Sequence, residues 1–267
     1  MKHLVNVSGG AGSAVALFRV IERYGRENVS ARLADTNTEH ADLYRFVDDL
    51  EKVAGIEIVR LNSGLDIWDV FLRELMYTNP ETGGCLAAWH LKRLPLAAHA
   101  KSIGTPDSLV IHVGFSIDEQ DRIDRLLAHA DGWSFDFPLT WEPPMLRCDV
   151  MRELDRRGLR ECEVYKAGYP HSNCLRLNCI KSGIGQWIGV LRDNPAGYMV
   201  SEENEQRFMA AQVALGRKPR TILRDRRGGT TSNLSLRQLR EEVEAGHVRK
   251  TPEWREESTC SCLSQLF

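Results

Sequence analysis

His3-Leu-Val-Asn-Val7 runs straight into Ser8-Gly-Gly-Ala-Gly-Ser13, and this junction decides how the rest of the chain is read. The first five residues are short, β-branched and apolar. Behind the glycines, apolar residues recur at helical spacing through Ala16, Leu17, Val20 and Ile21, so the order is strand, glycine loop, helix. The unit repeats: Val29–Ala34 is a second apolar run that ends in Asp35-Thr36-Asn37-Thr38-Glu39, and Leu43, Phe46, Val47, Leu50 and Val53 follow at three- and four-residue spacings. Ile56–Leu61 and Ser108–Gly114 read as third and fourth strands, with a helical stretch Leu86–Lys101 between them and a charged helix from Asp118. Strands that alternate with helices predict an α/β fold, a parallel sheet with helices on both faces.

Beyond about Trp133 the texture changes to loops interrupted by Pro138, Pro143 and Pro144, and the sheet is expected to be complete by there. Helices are predicted at Cys148–Arg157, Ile180–Arg192, Ser201–Leu215 and Ser235–Ala245, the last opened by Ser235 and Gln238 at capping-box spacing. This divides the chain into an α/β nucleotide-binding part, residues 1–165, and an α-rich, cysteine-containing part, residues 166–267, packed on it. From Glu253 onward the sequence is polar and aperiodic.

Composition limits the function. With 35 Lys and Arg against 37 Asp and Glu, the net charge of −2 gives no global field for nucleic acid, so any polyanion binding must be local. No apolar run reaches the roughly 18–20 residues of a membrane helix, and the N-terminus lacks a signal-peptide pattern, which predicts a cytoplasmic protein without a membrane partner. In that reducing setting the seven cysteines read as metal ligands or redox thiols where clustered and as small buried residues where isolated, which places Cys148 and Cys162 in the second group.

Where a strand delivers its end to a helix N-terminus, backbone N–H groups converge on an anion, and glycines let it approach. Ser8, Gly9, Gly10, Gly12 and Ser13 are therefore candidate phosphate-binding residues; the alternative is a tight turn. The loop lacks the Lys of a G-x-x-x-x-G-K-[ST] motif and the spacing of G-x-G-x-x-G. Strand-SGGxGS-helix followed by strand-Asp-Thr-x-x-Glu resembles the PP-loop, adenine-nucleotide α-hydrolase-like proteins, in particular their phosphoadenosine phosphosulfate (PAPS) reductase branch. Lys92-Arg-Leu-Pro95-Leu96 is similar to that branch's Lys-x-x-Pro-Leu helix, Val113-Gly114 with Glu119 and Arg122 to its strand-Gly-x4-Glu-x2-Arg segment, and Phe137-Pro138-Leu139 with Trp141 to its Tyr-Pro-Leu-x-x-Trp stretch. Asn173-Cys174, Asn178-Cys179, Arg224-Asp-Arg-Arg-Gly-Gly229 and Cys260-Ser-Cys262 resemble features of the stand-alone phage and bacterial proteins of this type.

The resemblance spans roughly residues 1–200 and implies an adenine nucleotide (ATP, PAPS or APS) as substrate, sulfur transfer or reduction as activity, and a thioredoxin-like electron donor as partner. A homo-oligomer is compatible with it. Two departures matter: ATP-cleaving relatives carry Asp at the position of Gly12, and the reductases proper end in Glu-Cys-Gly-Leu-His, which is absent here. Gly114, Asp35, Thr36 and Glu39 join the nucleotide candidates, the carboxylates either bonding nucleotide hydroxyls or holding magnesium, or serving as helix-start residues. Lys92, Cys260 and Cys262 are the catalytic candidates.

Cys174-x4-Cys179 and Cys260-x-Cys262 form two close thiol pairs that suit a [4Fe–4S] cluster, which the resemblance favours, or zinc. In a helix, residues five apart diverge by about 140°, so the first pair requires a loop. Cys85 is a reserve ligand, and His171 is a hydrogen-bonding loop residue or a ligand. The basic run 217–227, with Arg224, Arg226 and Arg227 beside Gly228-Gly229, is a candidate grip for the anionic part of the substrate or for a nucleic-acid backbone; the alternative is a solvated loop. Competing functions are an ATP-dependent enzyme that adenylates and thiolates a nucleic acid, and a non-catalytic nucleotide- or metal-binding regulator.

Overall fold

Leu4 and Val5 are fully buried on opposite sides of β1 (Lys2–Asn6) because strands flank it on both edges and helices cover both faces. The computed structural model describes residues 1–169, 171–226 and 229–247. β1 pairs in parallel with β2 (Val29–Asp35), Leu4 opposite Ser30, and with β4 (Leu109–Val113), Leu4 opposite Ile111. Adding β3 (Ile58–Asn62) and β5 (Ser134–Asp136) gives a five-stranded sheet of order β3-β2-β1-β4-β5 with every neighbour parallel. The expectation that the sheet ends before Trp133 is thereby corrected. β5 is a three-residue edge strand, Ser-Phe-Asp, too short and too polar to show a period in sequence.

The helices sort onto two faces. α1 (Ala11–Tyr24), α2 (Ala41–Ala54) and α7 (Arg147–Arg156) share one apolar cluster with Val5, Ala31 and Leu33. α5 (Leu94–Ile103) and α6 (Gln120–Leu127) cover the other face, which carries Leu4, Ala34, Ile111 and Val113. α3 (Ile67–Glu74), absent from the sequence reading, is fixed by a capping box between Asp66 and Asp69 and brings Ile67, Trp68, Val70 and Phe71 into a separate cluster. The segment leading into α5 starts as a short α4 (Leu86–Ala88) and continues as a π-helical turn, Trp89–Arg93. Pro95 has no N–H to return to the carbonyl four residues back, so the ladder widens just before it, and Leu91, Lys92 and Arg93 all become buried.

After α7 the chain forms the loop that carries Cys174 and Cys179, then α8 (Ile184–Asp193), α9 (Pro195–Ala214) and α10 (Leu236–Glu244), with a hairpin of β6 (Leu223–Asp225) and β7 (Ser232–Leu234) between the last two. α9 begins six residues before its expected start, with Pro195 in its first turn and the Asn194 side chain accepting from the Gly197 N–H at 3.0 Å. The predicted capping box is present: Ser235 N–H donates to Gln238 Oε1 at 2.9 Å and Gln238 N–H to Ser235 Oγ at 3.2 Å. Trp187, Tyr198, Leu236 and Leu239 belong to the same apolar cluster as Val5 and Val15, so the core runs unbroken from β1 to α10.

Candidate functional site

Strand order reverses between β1 and β4, and at such a point the two crossover helices leave on opposite sides and open a crevice at the strands' carboxyl ends. A cavity of about 330 Å3 occupies that crevice, with Ser8, Gly10, Gly12, Ser13 and Gly114 in its lining. No side chain caps α1, so its first-turn N–H groups face the cavity with the positive end of the helix dipole behind them. The loop is held from within: Ser13 Oγ accepts from the Ser8 N–H at 3.0 Å and from Ser8 Oγ at 3.2 Å, and donates to the Gly10 carbonyl at 2.8 Å.

The glycines of this loop have different reasons to be there. Gly9 has φ +75°, and a Cβ on it would lie 2.5 Å from Leu43, so it turns the chain and is not in the cavity lining. Gly12 and Gly114 are in mutual backbone contact: a Cβ on Gly114 would stand 2.7 Å from the Gly12 carbonyl oxygen, and one on Gly12 would stand 3.0 Å from that of Gly114. Gly10 differs, because a Cβ there would meet only Ser8 Oγ and Tyr165 Oη at an ordinary 3.4 Å.

Three cations line the cavity. Lys92 comes from the π-helical turn, Arg122 from α6 and Arg147 from α7. Arg122 is ion-paired with Glu119 and lies 4.1 Å over the Phe115 ring. Leu33, Ala34, Leu96, Val113 and Phe115 supply an apolar wall. Among the lining side chains, Asn6 Nδ2 and His171 Nδ1 are buried and have no hydrogen-bond partner among the described residues. Behind Asn6 lies Arg32, fully buried, donating to Asn6 Oδ1 at 2.7 Å and to the Leu96 carbonyl. Burial lowers its pKa to about 9, so the guanidinium stays charged at neutral pH. Asn6, Arg32 and Arg147 were not singled out in sequence; an Arg in the middle of an apolar strand was the one available signal.

Asp35, Thr36 and Glu39 are absent from this lining. Asp35 Oδ1 accepts from the Asn37 N–H at 2.9 Å and from Tyr44 Oη at 2.8 Å, and Oδ2 from Asn62 at 3.0 Å, so the carboxylate ties the β2 end to its surroundings. It is not the cap of α2; that place falls to His40, whose ring accepts from the Asp42 N–H. Glu39, 1% exposed, lies before that helix and not in its first turn. It pairs with Lys92 at 3.1 Å and accepts from Thr36 Oγ1 at 3.0 Å and from the Cys174 N–H at 2.5 Å. Lys92 also donates to Asn173 Oδ1 at 3.2 Å. Glu39 and Lys92 thus dock the cysteine loop against β2.

Cys174 and Cys179 do lie in a loop, with Cys174 and Asn178 both at positive φ. Together with Cys85 they line a second, apolar cavity of about 20 Å3, and Lys92 lines both this cavity and the crevice. Among the described residues, no group of three or more His, Cys, Asp or Glu is arranged to hold a metal ion. Cys260, Cys262 and Arg227 lie outside the described residues. Cys162 is buried as expected, and burial raises its thiol pKa to about 11. Cys148 is a correction: it is exposed, because α7 turns Val150 and Leu154 to the core instead. Arg224 lines a third cavity, away from the crevice, and Arg226 is exposed.

No protein-family model matches the chain, and no curated protein matches it. Among solved structures it is similar to a phosphoadenylyl-sulfate (PAPS) reductase from Candida auris, described as a phosphate complex, with 14% identity over 65% of this chain and 81% of that one and a TM-score of 0.47. No helix among the described residues is long and apolar enough to cross a membrane.

Proposed function

We propose that this chain is a PAPS reductase-like enzyme that binds an adenine nucleotide in the β1–β4 crevice and carries out sulfur transfer or reduction beside it. The observation that carries this reading is the shared wall: Lys92 lines both the crevice at the uncapped N-terminus of α1 and the cavity lined by Cys85, Cys174 and Cys179. The α1 N–H groups, Lys92 and Arg147 take the nucleotide's phosphates, and the apolar wall from Leu33 to Phe115 takes the base. The buried donor of Asn6 supports a ligand rich in acceptor oxygens.

A phosphosulfate substrate is favoured over ATP cleavage, because ATP-cleaving relatives carry Asp at the position of Gly12, where a side chain would crowd the Gly114 carbonyl oxygen at 3.0 Å. The thiols of Cys174 and Cys179, with Cys260 and Cys262 of the tail, are proposed to hold an iron–sulfur cluster. Thiolates are the donors such a cluster takes; Cys174 and Cys179 line one cavity with Cys85, short of a preformed metal site among the described residues. A bound cluster would supply electrons or sulfur at the thiol side of Lys92, and a thioredoxin-like donor would restore it.

Gly10→Val tests the nucleotide reading. A Cβ there stands at ordinary contact distance in the crevice lining, and the extended backbone suits a β-branched residue. Calorimetry should show PAPS or APS binding to the parent protein and at least a hundredfold loss in the variant, with circular dichroism unchanged. Equal affinity in both would remove the reading. Pyrophosphate release from ATP would replace it with the adenylating one.

A further inference from the structure

The described residues of the basic run have no part in the crevice, yet the structure folds two of its arginines into a cavity of their own. Arg220 and Arg224, from the approach to β6 and from β6 itself, meet Lys181 of the cysteine loop around a space of about 190 Å3, with Tyr77, Thr78 and Thr221 completing the polar lining. No carboxylate is in that lining, and Arg224 donates to neutral oxygens. Three positive charges around one hollow repel one another, an arrangement that an anion between them relieves.

The neighbouring groups are arranged to leave those charges available. Arg224 is oriented by neutral acceptors only, Thr221 Oγ1 at 3.1 Å and Asn233 Oδ1. The buried carboxylate of Glu205 on α9 is occupied by backbone, accepting from the Ile222 N–H at 2.8 Å and the Leu236 N–H at 2.6 Å. A second, independent feature points the same way. The Tyr77 ring is fixed by stacking on Phe208 at 4.1 Å and by edge contact with Phe71 at 5.3 Å, while its hydroxyl is buried. Tyr77 lines the cavity, and its hydroxyl lacks an acceptor among the described residues.

We propose that this cavity is a second anion site, distinct from the nucleotide crevice, that takes the terminal phosphate or sulfate group of a small acidic ligand. The cavity holds roughly six water volumes, below the usual range for a whole drug-sized ligand and sufficient for a tetrahedral oxyanion with a few further atoms. A nucleic-acid backbone needs an open track of cations, not a pocket of this size. Its position suits a second substrate: Ile180 lines both this cavity and the one lined by Cys85, Cys174 and Cys179. An anion bound here is separated from the thiol-lined cavity by the Ile180 side chain they share.

The test is calorimetric titration of inorganic phosphate, and separately of inorganic sulfate, into the full chain and four variants at low ionic strength. Lys181→Gln/Arg220→Gln removes two exposed cations and should weaken binding at least tenfold. Tyr77→Phe, which deletes only the hydroxyl, should weaken it about threefold or more. Lys101→Gln/Arg125→Gln removes the same charge from α5 and α6 and should leave affinity unchanged. Gly10→Val fills the crevice and should retain a phosphate site, which separates this proposal from the nucleotide reading. Unchanged affinity in Lys181→Gln/Arg220→Gln, equal loss in Lys101→Gln/Arg125→Gln, or loss of all phosphate binding in Gly10→Val would overturn the proposal. So would a short single-stranded oligonucleotide that binds tighter than phosphate through Lys181 and Arg220.

Discussion

At the residue scale, the buried ion pair of Glu39 and Lys92 separates structural from functional roles. Lys92→Met leaves Glu39 charged and buried, which should cost about 3–5 kcal/mol, and it should also weaken nucleotide binding. Adding Glu39→Gln should recover most of the stability and none of the affinity, as read by denaturant unfolding and calorimetry; joint recovery would make Lys92 purely structural. Two other buried groups titrate in opposition. Burial lowers His112, which lies 2.9 Å from His3, to about 4, and raises Glu205 to about 7. Between pH 5 and 6.5 the unfolded chain binds more protons at His112 than the folded one does, so that group makes stability fall as pH falls. At Glu205 the folded state binds more, so stability falls as pH rises. The two slopes offset. Glu205→Gln should therefore expose a loss of stability on acidification, of the order of 1 kcal/mol per pH unit, and His112→Gln the reverse trend; parallel curves for all three proteins would refute this.

At the element scale, the junction of β4 with the first turn of α1 is the tightest approach in the crevice. Gly114→Ala puts a Cβ against the backbone of Gly12 and Ser13, at 2.7–2.8 Å, where no flexible side chain can yield. It should destabilise the fold by about 1–3 kcal/mol and abolish nucleotide binding, because α1 must shift away from β4. Thermal unfolding and calorimetry check both. The π-helical turn is a second local device: Pro95 creates it, and it turns Lys92 toward the two cavities.

At the scale of the whole molecule, the thiols come from segments far apart in sequence. Cys85 precedes the π-helical turn, whereas Cys174 and Cys179 come well after the last strand of the sheet, so only the packed fold assembles them. Anaerobically purified protein should contain iron, absorb near 400 nm, and lose both on deletion from Thr259, with a lower unfolding temperature because metal binding is linked to folding. Metal-free protein from such a preparation, or iron content unchanged by the deletion, would dismiss the cluster.

What was legible in sequence follows from what is local. The apolar runs of β1 to β4, the glycine loop, the amphipathic faces of α1, α2 and α7 and the Ser235 cap each announce themselves within a few neighbouring residues, because strand burial, helix periodicity and capping are short-range effects. That was sufficient for the parallel sheet and for the crevice at Ser8–Ser13 and Gly114. β5 and α3 were not legible, being a polar edge strand and an eight-residue helix that depend on packing. Tertiary structure alone decided that Asp35 ties down a strand end, that Glu39 docks the cysteine loop, that Cys85 joins Cys174 and Cys179, and that Arg224 meets Lys181 and Arg220 and not the β1–β4 crevice. A charge or a thiol carries no mark of its partner in the sequence; its role is set by which distant segment the fold brings within a few ångströms.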